Sequence, residues 1–190
     1  MNVIETSIPG VLIIEPKIFG DARGFFLESF QSKRYADLGL TRPFLQDNLS
    51  RSVRGTLRGL HFQQPDAQGK LVTVLRGAVR DVAVDVRIGS PTFGEHVVVD
   101  LDEDNRRQLF VPRGFAHGFL VRSDSADFFY KCDALYSPTD EKVLRFDDPA
   151  LGIDWGIAEL GIKQPILSAR DQRGHTLTEL TELLPRFEPA

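Results

Sequence analysis

The 190-residue sequence predicts an all-β protein, a sandwich or barrel of many short strands trimmed by a few short peripheral helices. Three observations carry that prediction. Apolar and polar residues alternate with period two through the middle of the chain. Short β-type runs recur at regular spacing, and Gly, Pro, Asp or Asn clusters break them apart.

In chain order the runs fall at residues 11–15, 25–30, 57–62, 71–75, 79–86, 95–101, 107–111, 116–121 and 126–132, each rich in Val, Leu, Ile or Phe. The clearest runs from Val79 to Arg87, where Val82, Val84 and Val86 alternate with Asp81, Ala83, Asp85 and Arg87. Its polar face looks toward water in an ordinary sandwich, or into the interior of a barrel that holds a ligand in its mouth. Asp81 and Asp85 are therefore either surface residues or buried partners for histidines. Breaks stand at Asp21-Ala22-Arg23-Gly24, Gly89-Ser90-Pro91 and Asp102-Glu103-Asp104-Asn105. One short helix is predicted over residues 32–38 and another over 176–184, where Leu177, Leu180 and Leu184 have helical spacing.

Size favours a single domain over residues 1–190, with a peripheral tail from about residue 174. No stretch reaches the roughly eighteen apolar residues that span a bilayer, and no basic start followed by an apolar run marks a targeting segment, so a cytoplasmic protein without membrane contact is expected. The lone Cys132 leaves no internal disulfide, and a net charge of −4 gives no general attraction to nucleic acid or anionic lipid. Phosphate contacts must be local. Arg23, Arg54, Arg58, Arg113 and Arg170 lie beside motif residues, where forked hydrogen bonds to a small phosphorylated ligand compete with simple solvation.

Two histidine segments carry the chemical signal: Leu57-Arg58-Gly59-Leu60-His61-Phe62-Gln63 and Pro112-Arg113-Gly114-Phe115-Ala116-His117. The second has the Pro-x-Gly-x-x-His spacing of the last metal ligand in cupin barrels, and Gly55 precedes His61 by six residues as in their first motif. That first motif should continue to a second His and a Glu, whereas Gln63 stands two after His61 and residues 65–68 supply no Glu. A neutral amide is a poor ligand, and a metal site needs about three or four protein ligands, so an empty barrel with histidines free to move protons is expected. Alternation places His61 on one face with Gly59 and Gln63. His61 is then either a packed core histidine or a base, and His117 either a core residue held by an aspartate such as Asp81 or a substrate contact. Tyr130, in an aromatic strand, is a core phenol or a proton donor, and Tyr136 a turn residue or a stacking platform. Lys70 is a surface charge or the stabiliser of a developing oxyanion.

The motifs resemble one family specifically. Asp21 to Glu28, Gln46 to Ser50, Leu57 to Gln63, Lys70-Leu71-Val72, Asp81 to Arg87, Ser90 to Gly94, Pro112 to Phe119, Tyr130-Lys131-Cys132 and Asp148 to Trp155 are similar, in order and spacing, to the dTDP-4-dehydrorhamnose 3,5-epimerases over about residues 3–172. The resemblance implies a cupin-like jelly roll that works as a homodimer, without metal or other cofactor, on a dTDP-linked 4-keto-6-deoxyhexose. It implies His61 as the base, Asp171 as the carboxylate that orients it, Tyr130 as the acid, Lys70 beside the C4 oxygen and Tyr136 stacked on thymine. It further implies substrate contacts from Arg23, Phe26, Glu28, Gln46, Asn48, Arg58, His117, Glu141 and Arg170. Arg170 stands where lysine is also common in the family, which keeps the charge and alters the hydrogen-bond geometry. Epimerases of a single centre, a silent nucleotide-sugar-binding cupin and a metal-dependent cupin dioxygenase or isomerase are the alternatives. The acid, base, lysine and carboxylate together speak against the silent one.

Overall fold

The computed structural model describes residues 1–188 as two facing antiparallel sheets with a projecting hairpin. The strands are β1 (Asn2–Glu5), β2 (Leu12–Glu15), β3 (Ile18–Asp21), β4 (Gly24–Leu27), β5 (Gln46–Val53), β6 (Leu57–Gln63), β7 (Lys70–Arg76), β8 (Ala78–Asp85), β9 (His96–Asp102), β10 (Gln108–Val111), β11 (Phe115–Val121), β12 (Ser125–Cys132) and β13 (Glu141–Val143). One sheet runs β1-β2-β10-β7-β12-β5 and the other β13-β6-β11-β8-β9, while β3 and β4 pair only with each other. This is the cupin-like jelly roll that the family resemblance implies.

Both faces of the five-stranded sheet are covered. Val79, Ala83, Phe115 and Phe119 point between the sheets and pack with Val72, Leu109 and Phe128 from the opposite wall. Val82, Val84 and Val86 point outward and are covered by Leu144, Leu151, Trp155 and the late residues Leu177, Leu180 and Leu184. The polar face of β8 is thus the interior one, and Asp81 and Asp85 are both fully buried there.

The helices are shorter than the sequence predicts. The first, α1, covers Ser32–Ala36; the Gln31 side chain caps it by accepting from Arg34 N–H at 2.7 Å. No α-helix forms over residues 176–184, where a turn leads into a 3-10 turn at Thr181–Leu183. Thr176 and Glu179 form a reciprocal capping box, with backbone N–H bonds of 2.7 and 3.2 Å to each other's side chains. Pro185 follows too soon for a helix to propagate. The three leucines are nevertheless buried, so the segment after Gly174 is a cover for the sheet rather than a peripheral tail.

Candidate active site

A β-bulge determines which side chains of β6 face inward. Strand β11 pairs His117 with His61 but Phe119 with Arg58, so three steps on β6 oppose two on β11. Strict alternation sets Arg58 and His61 on opposite faces; the extra residue brings both inward. Gly59 makes this possible with φ +113°, and a Cβ there would lie 2.6 Å from the His117 carbonyl oxygen.

The inward side chains line a cavity of about 700 Å³ between the sheets. Arg58, His61, His117 and Phe119 furnish the wall formed by β6 and β11, and Gln46, Asn48, Ser50, Lys70, Phe128 and Tyr130 the wall formed by β5, β7 and β12. Cross-strand register puts Gln46, Cys132 and Lys70 on one rung and Asn48, Tyr130 and Val72 on the next. Tyr136, Glu141, Arg170 and Asp171 close the mouth.

Each of the two cavity histidines has its own carboxylate. His61 Nε2 lies 2.5 Å from Asp171 Oδ1, and Asp171 is itself held by Ser168, whose hydroxyl donates to Oδ2 at 2.7 Å. Burial pushes the Asp171 carboxyl up, but the His61 bond and charge, with the Ser168 donors, outweigh it and hold the group below the usual carboxylate range. On the other side of the ring, His61 Nδ1 is 3.9 Å from Glu141 Oε1. His117 Nε2 sits 2.8 and 3.0 Å from the two oxygens of buried Asp81.

Two further groups of the cavity are shifted by enclosure. Burial pushes the Lys70 ammonium below its ordinary range, and outweighs Cys132 and Asp81, which pull the other way. Burial pushes the Tyr130 phenol up, so it keeps its proton further into alkali. At the mouth, Tyr136 donates to Glu141 Oε2 at 3.1 Å and accepts from Arg170 at 3.1 Å, while Arg170 also pairs with Glu141.

Among the residues singled out in the sequence, Arg23, Phe26 and Glu28 stand apart from this cavity. They belong to the β3–β4 hairpin and its exit; Phe26 is 69% exposed and Glu28 pairs with Arg34. Conversely, Ser52, Ser168 and Gln68 support the site without having stood out in the sequence. Ser52 accepts from Arg58 at 3.0 Å. Only Ser168 carried a local signal, its place three residues before Asp171 in a serine-headed turn. Among the described residues, no group of three His, Cys, Asp or Glu side chains converges to hold a metal ion.

A histidine anchored by a carboxylate, a phenol on the facing wall and a buried ammonium can together take a proton from carbon, hold the resulting charge and return a proton. Fold and cavity therefore define a cupin-like barrel equipped for proton transfer. The family model described as dTDP-4-dehydrorhamnose 3,5-epimerase matches residues 5–179. The dTDP-4-dehydrorhamnose 3,5-epimerase of Shigella flexneri is 50% identical over 181 residues, 94% of this chain and 97% of that protein. A Legionella pneumophila structure of dTDP-6-deoxy-D-glucose-3,5-epimerase in complex with dTDP-4-keto-L-rhamnose is 53% identical with a TM-score of 0.95, covering 99% of each chain. A 3'-monoepimerase from Streptomyces bikiniensis, in complex with dTDP-quinovose, is 37% identical with a TM-score of 0.87 over 95% of this chain and 91% of that one. The chain belongs to the dTDP-4-dehydrorhamnose 3,5-epimerase family, and is an isomerase.

Proposed function

We propose that the protein inverts C3 and C5 of dTDP-4-dehydro-6-deoxy-D-glucose to give dTDP-4-dehydro-L-rhamnose, in the cytoplasm, for rhamnose-containing polysaccharide. The observation that carries this reading is the His61–Asp171 pair on one wall of the cavity facing Tyr130 on the other. With Nε2–H donating to Asp171, His61 keeps a lone pair on Nδ1 to accept the proton from the carbon next to the C4 ketone. The C–H electron pair moves into the enolate and its charge onto the C4 oxygen, where the Lys70 ammonium stabilises it. Tyr130 then returns a proton to the opposite face of the same carbon as the enolate pair re-forms the C–H bond, which inverts the centre; once His61 has released its proton to water and the Tyr130 phenolate has regained one, the second centre follows in the same way. No net redox change occurs.

The mouth suits the nucleotide. Tyr136 offers a ring for thymine to stack on, with Arg170 and Glu141 fixing its hydroxyl. Arg58, Gln46, Asn48 and His117 line the cavity, which supports the reading that Arg58 meets the diphosphate or sugar and the other three the sugar. Arg23, Phe26 and Glu28 reach no part of their own cavity, so in this reading the protein is a homodimer in which the exposed hairpin completes the partner's mouth.

Turnover of dTDP-4-dehydro-6-deoxyglucose in D₂O tests the reading. Deuterium at both C3 and C5 of the product is expected; deuterium at one carbon alone would move the protein to the single-centre epimerases. His61→Ala should abolish incorporation and leave dTDP affinity near wild type.

A further inference from the structure

The position two residues after His61, where a metal-binding cupin places a second histidine, holds Gln63, and its amide is fully engaged in this fold. Gln63 is 4% exposed. Its Nε2 donates to the carbonyl oxygens of Asp66 at 2.8 Å and Leu135 at 3.2 Å, and its Oε1 accepts the Ser137 N–H at 2.9 Å. Leu135 and Ser137 are the two neighbours of Tyr136. The Tyr136 N–H is taken by Gln46 Oε1 at 2.8 Å, and Gln68 holds the Ala134 carbonyl at 2.9 Å.

Three glutamines from the barrel therefore hold the backbone of residues 134–137, an exposed connection between β12 and β13 with no strand ladder of its own. Gln63 alone grips it on both sides of the tyrosine. Leu135 and Tyr136 are 63% and 43% exposed, so packing contributes little to fixing the loop. Only an amide can meet this set of partners: it needs two donors and one acceptor on one planar group, which carboxylate, imidazole and hydroxyl side chains lack.

We propose that Gln63 is a positioning residue for nucleotide recognition, which sets the Tyr136 ring at the cavity mouth through the backbone on either side of it. The proposal rests on the reading of Tyr136 as the platform for the base. It assigns the metal-ligand position of the barrel a new task, in which the side chain two residues from the base governs binding rather than chemistry.

Gln63→Met removes all three bonds without adding charge, and Gln63→Glu keeps the acceptor while turning carboxylate oxygens toward two carbonyls. Both should weaken dTDP binding about tenfold, the scale of lost buried amide bonds, and raise KM in step, with kcat and its pH profile unchanged. In a Tyr136→Ala background, which is itself weakened, Gln63→Met should add nothing further. Wild-type dTDP affinity in both Gln63 variants would overturn the proposal, as would an effect that persists undiminished beside Tyr136→Ala or a shifted kcat profile. Tyr136→Ala with wild-type dTDP affinity would instead remove Tyr136 from the nucleotide site, and the positioning role with it, while leaving deuterium incorporation at C3 and C5 as the independent test of the reaction. A wild-type kcat for Gln63→Met, read well below its melting temperature, separates positioning from general loss of fold.

Discussion

His61 and His117 are register partners on neighbouring strands, yet each is held by a carboxylate from a different part of the chain, Asp171 from a late 3-10 turn and Asp81 from β8. Two like side chains on one wall are thereby given separate supports. Asp171→Asn should lower kcat by about 10²–10⁴-fold with little change in dTDP affinity, since it acts on the base alone. Asp81→Asn should act mainly on KM. Equal losses of kcat in the two variants, measured by steady-state kinetics, would show both histidines in the proton transfer.

Stability follows the same carboxylate. Because the Asp171 pKa is depressed in the fold, its contribution is fully present above the unfolded carboxyl range and is lost as pH falls through the folded value. The stability gap between wild type and Asp171→Asn should therefore be widest near neutrality and close below about pH 4, as read from denaturant melts.

Enclosure moves Lys70 and Tyr130 in opposite directions, the ammonium down and the phenol up. The alkaline loss of turnover should then belong to Lys70 and begin below the ordinary lysine range. In residual-activity profiles Lys70→Met should lack that limb, whereas Tyr130→Phe should keep it. A limb that vanishes with the phenol and survives without the amine would reverse the assignment.

Gly59→Ala should be among the costliest single-methyl changes in the molecule. The added carbon meets the His117 carbonyl at 2.6 Å and the Gly118 Cα at 2.7 Å, on a backbone with φ +113°. A loss of about 2–4 kcal/mol is expected in equilibrium unfolding, together with lost turnover as Arg58 and His61 move out of phase.

Hairpin function is open to complementation. With the proposed homodimer, Arg23→Ala and His61→Ala proteins should each be impaired, while a mixture allowed to exchange subunits should recover up to about a quarter of wild-type turnover, because half of such dimers would be mixed and each would have one complete site. Failure to recover any activity after verified exchange would return Arg23 to its own subunit.

The legible parts of the fold were those with an apolar face to alternate against. Strand β8 announced itself through Val82, Val84 and Val86, and only the direction of its faces awaited the structure. Strand β5 did not, because its inward residues are Gln46, Asn48, Ser50 and Ser52, which serve the cavity and leave no hydrophobic stripe. The Arg58–His61 phase depends on a bulge that shows only when β11 is laid beside β6. His61 and His117 were visible from local spacing; the pairing of His61 with Asp171, 110 residues away, came only through family resemblance. Gln63 was read for the ligand it is not, since the backbone groups it holds at residues 135 and 137 are brought to it by tertiary structure.

The covering of the outer face of the five-stranded sheet has a consequence for biosynthesis. Val82, Val84 and Val86 are sealed by side chains as late as Leu177, Leu180 and Leu184, about a hundred residues downstream. During synthesis, one flank of the barrel stays greasy until those leucines have emerged, and a chain arrested before them should be held by chaperones or clump with its neighbours.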